Sequence, residues 1–371
     1  MTINKKELLF LGACFIWITP FYLPTSLAVL LRCALIAGVF LTQEVKKNPL
    51  LIMTILYVGL IIGTTVVFDY GLENLIKTIA PMSVLLGCII CVSNPENGKS
   101  FVGGLRKGLL VYFAIDLYFI FVANGIGMND NGQPVFFSGG KFNVCYMYLL
   151  MSALIFLKHK YLKKYHQLLI IVFGMFMCKY VDCSTGLLGI MSFYGVMLLP
   201  KWLKKGKRVY AWLVGMICMH YLIVFVQIQS TSKLLSYVIT EVLHKQIHLT
   251  GRIKIYNQFQ EIMQNHWLFG YGYTSNRIVE VTKLANTQNG FLQVIYNGGL
   301  VTFVVFILLL IYVFYRITQI EIERERNILF AAMIAFMVIA IVEIPFTSVV
   351  FYFLLSIIYI YSWKGKGEKN V

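Results

Sequence analysis

The sequence predicts an all-α polytopic membrane protein with about twelve transmembrane helices and one large external loop carrying amphipathic helices. Three observations predict it. The 371 residues are 59% hydrophobic and 13% charged, with a mean hydropathy of +0.76, whereas a soluble domain carries roughly 25% charged residues. Apolar runs near the ~18 residues that mark a spanning helix recur along the chain. The ~10-residue alternating segments of a membrane β-barrel are absent.

The first apolar run, 8–23, follows Lys5 and Lys6 as the core of a signal peptide would. No small-residue cleavage site separates it from the second run, so it reads as a retained helix. The remaining runs are 25–41, 50–68, 75–92, 108–123, 142–157, 167–181, 186–199, 209–226, 289–315, 328–344 and 347–363. Some fall short of the ~20 residues a bilayer needs. The pair around Cys183 reads either as two helices or as one broken, re-entrant element. No repeat of roughly 20–50 residues and no inverted symmetry is evident. Residues 1–371 form a single membrane domain in this reading.

Cations set the orientation. A formal net charge of +16 would suggest nucleic acid in a soluble chain. Here the cations sit in short turns between apolar runs: Lys46 and Lys47, Arg106 and Lys107, 158–164, 201–208, 316–326 and the tail 364–369. The positive-inside rule places these turns and both termini on the cytoplasmic side of a plasma membrane. No nucleic-acid partner is expected. The eight cysteines lie in or beside apolar runs. Cys88 and Cys91 are spaced CxxC, but with Ile89 and Ile90 between them they read as small buried thiols rather than metal ligands.

The long polar interval, 227–288 between the ninth and tenth spans, is then external. It is too rich in Trp, Tyr, Phe and Ile to be a tether. Residues 232–244 and 252–267 both carry helical periodicity. In the second, Ile255, Phe259, Ile262, Met263 and Trp267 share a face that would rest in the lipid headgroup layer. Thr250 can cap this helix, and Gly270 and Gly272 can end it. A second external segment, 124–141, carries a turn signal at Asn131 and Gly132.

Charge inside the hydrocarbon marks functional candidates. Arg32 in the second run and Asp116 in the fifth lie ~10 Å from the external ends by residue count. Either they pair, or Arg32 faces an outward cavity and binds an anion. Lys141, Lys179, Asp182 and Glu343 fall at a similar level and complete a ring under the loop. Arg252 stands out: Gly251 before it allows close backbone approach, a helix N-terminus favours anions, and the guanidinium fork suits phosphate. Arg277 and Lys283 read as solvated. His244, His248 and His266 are candidate bases, but their spacing matches no zinc signature.

Together these motifs resemble one family. Gly251-Arg252 opens an amphipathic helix and Gly270-Tyr271-Gly272 follows some twenty residues on. Gln288-Asn289 then starts a span that contains Gly298-Gly299-Leu300. With Arg32 early in the chain and Ser184-Thr185-Gly186 opening a later span, the pattern resembles the O-antigen ligase and Wzy-type polysaccharide polymerase superfamily. Members often carry a His, considered a catalytic base in the ligases, where this chain has Gln288, and an amide cannot take a proton at neutral pH. Either the base lies elsewhere, with His266, Glu343 and Asp182 as candidates, or this position only orients an acceptor hydroxyl.

The resemblance implies transfer of a glycan from a polyprenyl-diphosphate-linked oligosaccharide donor to a hydroxyl on a second lipid-linked unit, at the outer face of the plasma membrane. Polymerase is the expected activity in capsule, exopolysaccharide or O-antigen synthesis. A ligase, or a flippase or other transporter of lipid-linked glycans, is the alternative. Such chemistry needs cations on the diphosphate and a base at the acceptor. Arg252 and Arg32 are expected on the diphosphate, with Lys254 and Lys141 in support and Gly270, Gly272, Gln288 and Asn289 around the substrate. Tyr256, Trp267, Tyr271, Tyr273 and Tyr296 are expected to hold sugar rings. No cofactor or metal is expected, since arginine can do this work and no Asp-x-Asp occurs. Further partners implied are the lipid bilayer, a chain-length regulator and a flippase.

Overall fold

The structure is a computed structural model and describes residues 5–18, 25–42, 45–69, 71–128, 132–229 and 250–367. The described helices are α1 (Lys5–Ile18), α2 (Thr25–Thr42), α3 (Pro49–Phe68), α4 (Leu72–Ser93), α5 (Gly98–Phe121), α6 (Lys141–Lys158), α7 (Lys164–Tyr180), α8 (Ser184–Leu198), α9 (Arg208–Gln229), α10 (Thr250–Ile262), α11 (Arg277–Thr282), α12 (Gly290–Thr318), α13 (Glu323–Ile339) and α14 (Val349–Gly367). Each of the twelve apolar runs supplies one of them. Among the described residues, α3, α4, α6 and α12 are long and apolar enough to cross a membrane, and shorter apolar helices lie in α2, α8, α9 and α14.

Helices α6 and α13 make the centre. From Ile328 to Met337 every residue of α13 is buried, and α6 is buried almost throughout from Val144. A helix apolar on all sides is stable only inside other helices, and α8, α9 and α14 surround α13. The outer helices instead expose apolar stripes, such as Ile52, Ile55 and Leu56 of α3 and Val214, Tyr221 and Leu222 of α9. A stripe of this kind on each outer helix is the surface a bilayer would cover.

Small residues let the helices close up. Gly104 and Gly108 of α5 face α1, where an added Cβ would lie 2.6 Å from the Glu7 carbonyl oxygen and 2.8 Å from the Cys14 Cβ. This four-residue spacing is the small-xxx-small pattern of helices packed in lipid. It also revises the expected boundary of the fifth span. Helix α5 starts at Gly98, so Arg106 and Lys107 lie within a helix rather than in a turn, and Lys107 pairs with Glu7 of α1.

The segment between α5 and α6 forms a short antiparallel hairpin, β1 (Gly127–Met128) with β2 (Pro134–Val135). Gly132 takes φ +68°, as a turn there requires, while Asn131 lies outside the described residues. Asp116 does not pair with Arg32. It is fully buried, and its carboxylate accepts from the Ser138 amide at 3.0 Å, tying this segment to α5. Residues 167–199 are two helices rather than one, broken where Asp182 takes φ +50°. Across that break Gly186 admits Cys145 of α6, whose Sγ lies 3.4 Å from the Sγ of Cys178.

The polar interval differs most from expectation. Helix α10 is amphipathic, but its apolar side is buried in protein rather than in headgroups. Ile255, Tyr256, Phe259, Ile262 and Met263 pack with Ile278 and Tyr296. The short helix α11 turns the chain back onto α12 and gives this face a partner; Trp267, expected on that face, stays 37% exposed. The helical periodicity of 232–244 falls outside the described residues.

Candidate functional site

The loop and α12 are joined at a break. At Gly299, φ is +72° and ψ −173°, and the helical hydrogen bonding of α12 is interrupted. Residues 267–272 fill the gap. The amides of Leu300 and Val301 donate to the carbonyls of Trp267 and Leu268 at 2.7 and 3.2 Å. In return the amides of Tyr271 and Gly272 donate to the carbonyls of Tyr296 and Asn297 at 2.8 and 3.0 Å. Only glycine fits at this approach: a Cβ on Gly299 would lie 2.2 Å from the Leu268 carbonyl, and one on Gly270 2.6 Å from the Tyr296 carbonyl oxygen. Gly270 and Gly272 therefore serve helix packing, with Gly272 lying against Thr65 of α3 and Asp69 just after it. The loop continues to Tyr273, whose amide donates to Thr65 Oγ1 at 3.0 Å.

Asn289 caps α12. Its Oδ1 accepts from the amides of Phe291 and Leu292 at 3.0 and 3.1 Å, and its Nδ2 donates to the Ile341 carbonyl at 3.2 Å. Nδ2 also lies 3.3 Å from Nδ1 of His220 in α9, whose Nε2 is 3.0 Å from the Met337 carbonyl. A carbonyl only accepts, so the His220 proton sits on Nε2 and Nδ1 accepts from the amide. The Gly290 amide donates to the Ala340 carbonyl at 2.7 Å. These bonds fix Gln288 beside the turn that carries Glu343.

A cavity of about 520 Å³ opens there. Its walls include Arg32 from α2, Asn143 and Tyr146 from α6, Asn286 and Gln288 ahead of α12, and Glu343 and Thr347 between α13 and α14. Arg32 is its one cation and Glu343 its one carboxylate among the described residues. The Arg32 guanidinium also donates to the carbonyls of Trp17 and Ile16 at 2.9 and 3.4 Å, closing the C-terminal turn of α1. Glu343 is buried. Gln288 takes φ +53° and turns its side-chain amide to Asn286 Oδ1 at 3.0 Å. Tyr273 reaches the same wall by a hydrogen bond to Thr347. Burial pushes its phenol above the usual range, opposed by that bond and by the charge of Arg32.

Lys141 and Asp182, both expected at the site, do not line the cavity. Their charged ends are 3.9 Å apart, with the Asp182 side chain 88% exposed. A hydrogen bond from the Cys145 thiol holds Cys183 below its ordinary range against the effect of burial, and the Lys141 charge acts the same way.

The structure does not bring every expected residue here. His266 lines a separate hollow with Phe68 and Trp267, its Nδ1 lies 3.0 Å from the Gly270 carbonyl, and its ring stacks on Tyr271. Lys254 donates to the Thr282 carbonyl at 3.2 Å and links α10 to α11. Arg252 lies in the first turn of α10, but its side chain, with His244 and His248, falls outside the described residues. The expected aromatic platform is divided: Tyr256, Tyr271 and Tyr296 belong to a small core, while Trp267 is partly exposed beside His266 and Tyr273 lies at the cavity wall. Tyr256 and Tyr296 are buried, and the Tyr271 hydroxyl donates to the Ile262 carbonyl at the end of α10.

His220 was not anticipated, because it lies in an unbroken apolar run. The amides Asn289, Gln293 and Asn297 had a readable signal: one polar residue per turn along an apolar span. All three are buried, and Gln293 Nε2 donates to Asn297 Oδ1 at 2.8 Å. No protein-family model matches the chain, and no curated protein matches its sequence.

Proposed function

We propose that this chain is a multi-pass plasma-membrane polymerase of polyprenyl-diphosphate-linked oligosaccharide repeat units. It would have about twelve spans, with the termini and Lys-rich turns cytoplasmic and the 227–288 loop external. The single observation that carries the reading is the cavity wall shared by one guanidinium, one buried carboxylate and Gln288. These stand at the start of the helix bearing the motifs that resemble the polymerase family.

In this reading the acceptor hydroxyl attacks the anomeric carbon of the donor while the carbon–oxygen bond to the diphosphate breaks. Glu343 takes the hydroxyl proton, and polyprenyl diphosphate leaves. Arg32 and Arg252 offset the charge that grows on the leaving group. Gln288 cannot be the base and orients the acceptor. The broken helix α12 invites a transporter reading, because transporters use unwound backbone to hold ions and substrates. The carbonyls and amides at this break are already engaged by residues 267–272, which favours the transferase.

Surface polysaccharide length decides it, measured by gel in a deletion strain complemented with intact protein or with Glu343→Gln. Loss of a general base costs roughly 10²–10⁴ in rate, so single repeat units should accumulate with Glu343→Gln at normal membrane levels. Full-length polymer from Glu343→Gln removes the assigned base. Lipid-linked units trapped inside the deletion strain would make the protein a transporter.

A further inference from the structure

At the other end of α6, ~27 Å away by helical rise over its 18 residues, lies a second concavity of about 530 Å³. Its lining is Lys158, His159, Lys160, Tyr161, Lys163 and His166, with Leu162. The stretch 158–166 holds four lysines and two histidines and no acidic residue. None of these lysines belongs to an ion pair among the described residues. Arg324 of α13 adds a further cation, donating to the carbonyls of Phe156 and His159 and so holding the turn in shape.

Charge alone would be the ordinary mark of one membrane side. The arrangement of the lysines is not. The lysines line a hollow held by backbone contacts instead of a loose tail. Directly below it α7 presents an uninterrupted apolar stripe, with Leu168, Leu169, Val172 and Phe176 exposed by 58, 60, 54 and 53%. Phe121 of α5 stacks on Phe176 at 6.0 Å and continues the stripe. A cationic hollow at the end of a spanning helix, continuous with an apolar face, has the two-part chemistry of one occupant.

We propose that the α6–α7 turn is a binding site for an anionic phospholipid. The phosphate headgroup lies among Lys158, Lys160 and Lys163, Tyr161 covers it from the polar side, and the acyl chains run down the α7 stripe. The site is separate from the cavity at Glu343 and does not depend on transferase activity. It lies where headgroup electrostatics are strong, and each lysine near an anionic surface strengthens binding about five-fold.

The test uses the purified full chain in detergent, following the thermal unfolding midpoint while phosphatidylglycerol, phosphatidylcholine or inorganic pyrophosphate is added. Phosphatidylglycerol alone should raise the midpoint. The variant Lys158→Gln/Lys160→Gln/Lys163→Gln should need on the order of 100-fold more of it for the same shift. A control with equal charge loss elsewhere, Lys99→Gln/Lys205→Gln/Lys207→Gln, should respond as the parent does. If the first triple variant is not monodisperse, Lys160→Glu alone serves, with a weakened response expected. An equal shift with phosphatidylcholine, or equal weakening in the control, overturns the site. A shift with pyrophosphate would make it a hollow for soluble phosphate.

Discussion

The Leu300 amide donates to the Trp267 carbonyl at 2.7 Å, so the segment ahead of α12 completes the helix that follows it. A break in a helix at membrane depth leaves backbone groups that lipid cannot satisfy, each costing several kcal/mol. Here the loop supplies the partners and takes partners in return. Gly299→Ala places a Cβ 2.2 Å from the Leu268 carbonyl at a φ that alanine disfavours. It should lower stability by about 3 kcal/mol or more, read as a fall in the unfolding midpoint of the detergent-purified protein. Gly195→Ala in α8, with open space around it, should be neutral or stabilising by up to about 1 kcal/mol. Equal midpoints for the two variants would refute the locking role.

Asn289 links the start of α12 to the segment before Glu343, and its two side-chain ends are separable. Asn289→Ala removes the cap and leaves His220 without its donor, an expected loss of about 2–4 kcal/mol. Asn289→Asp keeps the acceptor for Phe291 and Leu292 but cannot donate to Ile341 or His220. It should retain roughly half of the stability while transfer falls strongly, because the Gln288–Glu343 wall is no longer fixed. Chemical denaturation and a transfer assay in liposomes separate the two.

Much of this was legible in the sequence. Apolar runs locate helices because a span must satisfy its backbone internally and carry apolar side chains along its length. Arg32, Gln288 and Glu343 stood out as polar groups in or beside such runs, and all three reach one cavity. Periodicity identified the apolar face of α10 but not its partner, since burial in lipid and burial against Ile278 and Tyr296 need the same residues. His220 was silent for a related reason: its value comes from Asn289 and Met337, which are far away in the chain. Gly270 and Gly272 were legible as the turn that follows α10, and both take positive φ; the contact they permit, with a break thirty residues on, leaves no local trace.

His266 gives a discriminating case. It stacks on Tyr271 and touches the Gly270 carbonyl, away from the Glu343 cavity. His266→Ala should cost about 1–2 kcal/mol in stability and leave polymer length unchanged in cells at normal protein level. Loss of polymer with an unchanged unfolding midpoint would move the proposed catalytic base from Glu343 to His266.

Arg32 has two duties that one substitution can divide. Its guanidinium closes the last turn of α1 through Trp17 and Ile16, and it lines the cavity. Lysine keeps the charge and can reach one carbonyl but loses the planar fork. Arg32→Lys should therefore cost only about 1–2 kcal/mol in stability, while transfer in liposomes falls roughly 10- to 100-fold, as expected when a bidentate contact to a diphosphate becomes a point charge. Arg32→Gln should lose the same stability and nearly all transfer. If Arg32→Lys loses stability and transfers at the parent rate, the guanidinium serves α1 alone, and the diphosphate of the proposed donor must be held by another cation, with Arg252 the first to test by Arg252→Lys.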